Sequence, residues 1–312
     1  MVKRKIFIML FFTICCFWGG LIYIWNKYNS MENIIEMNIL PVDICYTNAY
    51  WYCIGRTCGE QDTMENKLYV INSTSYEYEE VKSLSEDNLI PKKITSCEDK
   101  IYIITYSAKY NEYYVVRLEK EKIIYVLNLN NYMDTENIFI KGFCITEEQM
   151  CYIREETNKM LLIIDLKKGE KRIIQDNIEK QFFECMAVGE HGNLYMLFCR
   201  EQAEGGDYVL YKIKRMDIEI ENEGMLLPYD DLYSVMGGGN NIYDFYVKSI
   251  NAVYGYNTEN KKFSYITKIE NEMYEYTKSY FSSDGRLMYI GMNLKQKNNS
   301  IVNCVKFLEV RL

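Results

Sequence analysis

Side chains able to carry out chemistry are sparse in this chain. His191 is the only histidine among 312 residues, which removes His-based triads, paired-His zinc motifs and His-rich metal sites together. It stands in Gly189-Glu190-His191-Gly192-Asn193, a turn sequence with no nucleophile elbow beside it, and reads as an exposed hairpin residue. Two of the 11 cysteines, Cys15 and Cys16, fall inside an N-terminal apolar run. The other nine are Cys45, Cys53, Cys58, Cys97, Cys144, Cys151, Cys185, Cys199 and Cys304. Their odd number, and the strand-like surroundings of Cys151, Cys185 and Cys199, favour buried free thiols. The one local group suited to a disulfide is Cys53-x4-Cys58 with Cys45. No C-x2-C pair and no nearby histidine supports zinc.

Three further patterns invite chemistry and fall short of it. Gly237-Gly238-Gly239 lacks the Lys-Ser/Thr and the helix that a phosphate loop needs, and is expected to be an inter-blade loop. Glu219-Glu221-Glu223 and Asp230-Asp231 offer oxygens at close spacing but match no calcium motif, and are expected to be solvated loops. Tyr113-Tyr114, Tyr274-Tyr276 and Tyr50-Tyr52 present flat apolar area with a polar tip, suited either to stacking a sugar or clamping a peptide, or to packing. No residue is nominated as catalytic, cofactor-binding, metal-binding or ligand-binding, and no cofactor is expected.

The elements that would position these groups begin with an anchor. Ile6 to Trp25 is uncharged and about the length of a membrane-crossing helix. Lys3-Arg4-Lys5 before it place the N-terminus in the cytoplasm, and Trp18, Tyr23 and Trp25 suit the outer interface. The expectation is a single-pass signal anchor over residues 1–27, a linker over 28–44 and an extracytoplasmic body over 45–312. A cleaved signal peptide competes poorly, because no small-residue site follows the run. Lipidation at Cys15 or Cys16 competes poorly too, because Phe12-Thr13-Ile14 is bulky and the run continues past the cysteines. Beyond residue 27 there are 32 basic and 44 acidic side chains, a net charge of −12, a poor match for nucleic acid.

From about residue 45 the chain alternates short apolar runs with polar turn clusters, as strands do. A turn followed by an aromatic strand recurs at Tyr52, Tyr102, Tyr152, Tyr195, Phe245 and Tyr289, at intervals of 50, 50, 43, 50 and 44 residues. Units of that length, unable to bury both sheet faces alone, stack around an axis. Ile163 to Ile174, turning at Lys167-Lys168-Gly169, and Val253 to Ser264 both have the layout of a hairpin. The fold class expected is therefore all-β: a β-propeller of about six blades, or seven if strands before Cys45 or after Val302 complete another. The run Val302 to Val310 is suited to closing the ring against N-terminal chain.

Gly237-Gly238-Gly239-Asn240-Asn241-Ile242-Tyr243-Asp244-Phe245-Tyr246 and Ala252 to Asn257 resemble a blade from a bacterial family, mostly of Gram-positive bacteria. Those cell-surface proteins carry a propeller-like region in front of an extracellular solute-binding domain. The sharp part covers some 25 residues, with a looser blade pattern over most of the body. The sequence closes at Leu312 without the solute-binding domain, so the resemblance implies a surface-exposed propeller and not transport. Ser283-Asp284-Gly285-Arg286-Leu287 resembles a propeller turn but lacks the Thr-Trp of an Asp-box.

The function expected is a membrane-anchored, non-enzymatic binding or sensing module for a protein of the envelope, a peptide or a glycan. The alternatives are a propeller enzyme acting on glycans through paired carboxylates, and a degenerate structural remnant of a solute-binding lipoprotein.

Overall fold

The computed structural model describes residues 33–36, 40–58, 64–75, 77–120, 122–136, 138–175, 181–189, 191–200, 207–226, 235–238, 242–248, 252–268, 275–281, 286–297 and 300–311. The expected anchor over 1–27 lies outside them. Among the described residues no helix is long and apolar enough to cross a membrane.

Five antiparallel sheets are each made of four consecutive strands. The first holds β2 (Leu40–Thr47), β3 (Tyr50–Cys58), β4 (Met64–Asn72) and β5 (Tyr78–Glu80). The second holds β6 (Leu89–Cys97), β7 (Lys100–Ser107), β8 (Glu112–Glu119) and β9 (Lys122–Asn128). The third holds β10 (Ile140–Ile145), β11 (Met150–Glu155), β12 (Met160–Asp165) and β13 (Lys171–Gln175). The fourth holds β14 (Gln181–Val188), β15 (Leu194–Arg200), β16 (Asp207–Lys214) and β17 (Asp217–Leu226). The fifth holds β18 (Val235–Gly238), β19 (Phe245–Lys248), β20 (Ala252–Asn257) and β21 (Lys262–Lys268). A further four-stranded sheet is composite: β22 (Glu275–Phe281), β23 (Arg286–Lys297) and β24 (Ser300–Arg311) are completed by β1 (Asn33–Glu36). The one α-helix among the described residues, α1 (Lys82–Glu86), joins the first and second sheets.

The first strands β2, β6, β10, β14, β18 and β22 neighbour one another in a closed circuit. This is the arrangement of propeller blades around an axis. Two expectations need correction. Counting each aromatic strand as the centre of a self-contained unit gave about six blades or seven, whereas five blades are contiguous in sequence and the remaining sheet borrows its outer strand from the N-terminal side. The stretch 28–44, expected to be a linker, contains β1 and the start of β2. Asn33 pairs with Phe307 and Glu36 with Cys304, so the run beginning at Val302 does close onto N-terminal chain.

The core consists of layers between blades, which explains the near-continuous apolar runs. Side chains of a strand alternate between its two faces, and here both faces are covered. Along β11, Cys151 and Ile153 join the layer shared with the second blade, while Met150 and Tyr152 join the layer shared with the fourth. Leu162 and Ile164 divide from Leu161 and Ile163 of β12 in the same way.

Candidate functional site

Polar groups fasten neighbouring blades at both ends of the ring. At the turn end, where first strands turn into second and third into fourth, neighbouring blades are fastened together. Thr47 Oγ1 donates to Glu98 O at 3.2 Å, Ser96 Oγ to Tyr46 O at 3.2 Å, and Tyr152 OH to Arg215 O at 3.0 Å. Arg215 Nε lies 2.8 Å from Glu148 Oε2, and Arg172 reaches Met216 O. Such groups are occupied by holding blade to blade.

At the opposite, loop end, the inner strands carry a recurrent irregularity. The pairing register shifts between Pro41 and Asp43, Pro91 and Lys93, Ile140 and Gly142, Phe183 and Cys185, and Tyr276 and Lys278. The extra residues are Val42, Lys92, Lys141, Glu184 and Thr277, each in the first strand of its sheet. A bulge bends its strand and re-aims a side chain, and here three of the five are charged. Proline, which cannot donate to a ladder, is tolerated beside a bulge on an inner edge strand, which accounts for Pro41 and Pro91.

The re-aimed groups meet partners from the next blade. Lys141 reaches the Phe183 carbonyl, with its ammonium 5.4 Å from the Phe183 ring centre. The Arg154 guanidinium lies 5.3 Å from the Phe183 ring and 5.6 Å from the Phe198 ring, is 1% exposed, and is 3.4 Å from Glu156 Oε2. Glu184 joins this group: burial raises its carboxyl above the ordinary value, Lys141 opposes the rise and Glu156 adds to it. On the first and second blades, Asp43 Oδ2 accepts from Ile94 N at 3.1 Å and lies 3.8 Å from Lys93 Nζ.

Phe139 stands over this end in an unusual state. Its N–H donates to Glu155 Oε1 at 3.4 Å and its carbonyl accepts from Glu156 N at 2.9 Å. Fully buried Glu155 also accepts from Thr157 N at 2.6 Å and Asn158 N at 2.7 Å. The backbone is thereby fixed while the ring remains 61% exposed. Tyr110, between β7 and β8, is 60% exposed, with Lys109 Nζ 4.8 Å from its ring. Beside it Tyr106 and Tyr113 have ring centres 5.0 Å apart.

The residues singled out in the sequence are scattered. His191 is an exposed turn residue as expected, 3.9 Å from Asp244 Oδ1. Gly237 and Gly238 lie in β18, not in a loop: they pair with Tyr246 and Phe245 as part of an inner strand. Glu219, Glu221 and Glu223 also lie in a strand, β17, where Glu221 is buried 3.9 Å from Lys212 Nζ. Asp230 and Asp231 fall outside the described residues. The local disulfide group is excluded by geometry. Cys53 and Cys58 lie on one extended strand, about 16 Å apart at strand rise, against roughly 6 Å for a bridge. Cys45 and Cys53 pair with Tyr52 and Ile44 respectively and so occupy opposite sheet faces. Both are free, and burial pushes the Cys53 thiol up to about 12.

Of the tyrosines, Tyr113 packs partly against the layer between the second and third blades and Tyr114 against that between the first and second. Tyr50 is 42% exposed and Tyr52 half-buried. Tyr274 and the Tyr276 side chain lie outside the description. Among the described residues, no three His, Cys, Asp or Glu side chains gather to hold a metal. Sequence reasoning missed Lys92, Lys141, Glu184 and Phe139. The signal for the bulges was present in Leu40-Pro41-Val42-Asp43-Ile44 and Ile90-Pro91-Lys92-Lys93-Ile94, which repeat at 50 residues.

No family model matches the chain, and no curated protein matches it. Solved structures do. One is virginiamycin B lyase from Staphylococcus aureus, 12% identical, covering 89% of this chain and 99% of that one, with a TM-score of 0.54. Another is YCF48 bound to D1 peptide, 8% identical, covering 88% and 79%, at 0.53. A third is the β-propeller domain of the Trilobed protease from Pyrococcus furiosus, 9% identical, covering 87% and 96%, at 0.51. The fold is that of a β-propeller. At these identities the likeness speaks for architecture alone, and it is shared by an enzyme and by a protein with a bound peptide.

Proposed function

We propose that this propeller is a binding module, held at a membrane by residues 1–27 with its body outside the cytoplasm, and that the loop end over the first to fourth blades is its recognition face. The observation carrying the proposal is Phe139: an aromatic ring left in water while its backbone is fixed on both sides by Glu155 and Glu156. Rigid exposed aromatics beside charged groups are the usual anchors of recognition surfaces. At the opposite end the exposed aromatics among the described residues, Tyr50 and Tyr78, are each 42% exposed.

The test compares full-length chain on arrays of immobilised peptides and glycans. Phe139→Ser combined with Tyr110→Ser is expected to abolish retention that Arg215→Ser at the other end leaves intact. Equal retention by both variants would refute the assignment.

A second reading, an enzyme acting on glycans, is favoured by one feature. Glu184, with its raised carboxyl, is electrostatically coupled to Glu156, which faces Arg154, and carboxylates in unlike surroundings divide naturally into acid and base. Glu184→Gln would abolish any glycan cleavage if this reading holds and leave array retention unchanged if it does not.

A further inference from the structure

Between the first and second blades the loop end contains two cations with no ion-pair partner among the described residues. Arg56 Nε donates to Asn66 Oδ1 at 3.2 Å, and Asn66 Nδ2 donates to Pro91 O at 3.1 Å. One amide thus ties the guanidinium of the first blade to the residue preceding Lys92 in the second. Lys92, re-aimed by its bulge, places its ammonium 5.6 Å from the centre of the Tyr106 ring. Among the described residues neither Arg56 nor Lys92 forms an ion pair, whereas adjacent Lys93 has Asp43 and nearby Lys67 has Glu80 at 3.1 Å. Both are only half-buried. Burial, and then the Arg56 charge, lower Lys92 from the ordinary lysine value: the two cations repel each other in the folded protein. Two cations joined through one amide and facing an aromatic ring offer an opposite charge a place to bind.

We propose that Arg56 and Lys92 form an anion-binding subsite, with Tyr106 and Tyr113 as an aromatic platform beside it, taking a carboxylate whose neighbouring group is aromatic or apolar. It rests on the reading of the loop end as the recognition face and supplies a ligand class for it. With its Nε held by Asn66, the guanidinium keeps its two outer nitrogens for a carboxylate, which it meets in a fixed fork. Lys92 adds a second charge nearby. The Tyr106 hydroxyl donates to Asn111 Oδ1 at 2.9 Å, which holds the ring in position as a wall, and Tyr113 lies 5.0 Å away at 46°. A phosphate would satisfy the cations equally well but would make no use of the rings.

The experiment titrates full-length protein in detergent at low ionic strength with phenylacetate, inorganic phosphate and benzyl alcohol, by calorimetry and by thermal unfolding. Phenylacetate is expected to bind most tightly and benzyl alcohol not to bind. Lys92→Met and Arg56→Gln are each expected to weaken phenylacetate about tenfold or more, while Lys168→Met, at an exposed lysine of the opposite end, leaves it unchanged. Without ligand, Lys92→Met should unfold at or above the wild-type temperature, since it relieves repulsion. Failure of both anions to bind, unchanged affinity in Lys92→Met, or a lower unfolding temperature of that variant without loss of binding would each overturn the proposal. Tighter binding of phosphate than of phenylacetate would overturn the choice of a carboxylate. Loss of the subsite with array retention still dependent on Phe139 would leave the recognition face standing without it.

Discussion

Replacing Glu156 by glutamine leaves the Arg154 guanidinium charged and 1% exposed with this carboxylate partner gone. Breaking a fully buried ion pair by removing one partner costs about 3–5 kcal/mol. Three features of this pair reduce that figure. Glu156 is itself 25% exposed; both guanidinium contacts run to the same Oε2 at 3.4 Å, the long end of hydrogen bonding; and the rings of Phe183 and Phe198 hold the cation whatever stands at 156, each worth about 0.5–2 kcal/mol. The expected cost of Glu156→Gln is therefore about 2 kcal/mol. Arg154→Met combined with Glu156→Gln removes the buried charge while keeping apolar volume between the two rings. It should recover about 1 kcal/mol relative to Glu156→Gln alone. Urea unfolding of the single and double variants, read from the midpoint at constant slope, gives both numbers. A Glu156→Gln variant within about 0.5 kcal/mol of wild type, or a double variant less stable than the single one, would refute the argument that this carboxylate stabilises a buried charge.

Three more outcomes are expected. Ala49 has a left-handed backbone, φ +63°, in the turn between β2 and β3, so Ala49→Gly should raise stability by about 0.5–1 kcal/mol in the same urea assay; a loss would show that the side chain packs. A Cβ on Gly255 would lie 2.5 Å from Tyr243 Cγ, too near the ring's root to be avoided by rotation, so Gly255→Ala should cost about 1–3 kcal/mol, and a neutral result would contradict the close approach. Glu184 titrates above the ordinary carboxylate value through burial, so the stability it contributes is fully present below that ordinary value and is lost as pH rises through the raised one. Glu184→Gln should thus unfold at a higher temperature than wild type near pH 7.5 and show no advantage near pH 4, by scanning calorimetry. The opposite pH trend would mean that ion pairing with Lys141 outweighs burial.

The repeat was legible because it follows from burial. Tyr52, Tyr102, Tyr152, Tyr195, Phe245 and Tyr289 fall on β3, β7, β11, β15, β19 and β23, the second strand of each sheet. Most of these side chains are at most 1% exposed, so large aromatics recur there. The hairpin read from Lys167-Lys168-Gly169 also appears, with Asp165 Oδ1 accepting from Lys167 N and Lys168 N and Gly169 at φ +71°. The loop end was not legible, because its residues lack a characteristic type or spacing. Lys92, Lys141 and Glu184 look like ordinary surface charges until a register shift shows which way they are turned. Gly237-Gly238 read as a loop because glycine is a turn signal, yet on β18 it forms an inner strand. Phe139 was not singled out, being one more apolar residue ahead of a strand; only its hydrogen bonds with Glu155 and Glu156 show that it is fixed in the open.

The most direct test of the recognition face proposed above is photo-cross-linking from the full-length protein in the cells that make it, with a benzophenone amino acid placed at Phe139 or at Arg215. The account predicts a discrete adduct from position 139 that is absent from position 215. Adducts from 215 alone, or identical patterns from both positions, would contradict it.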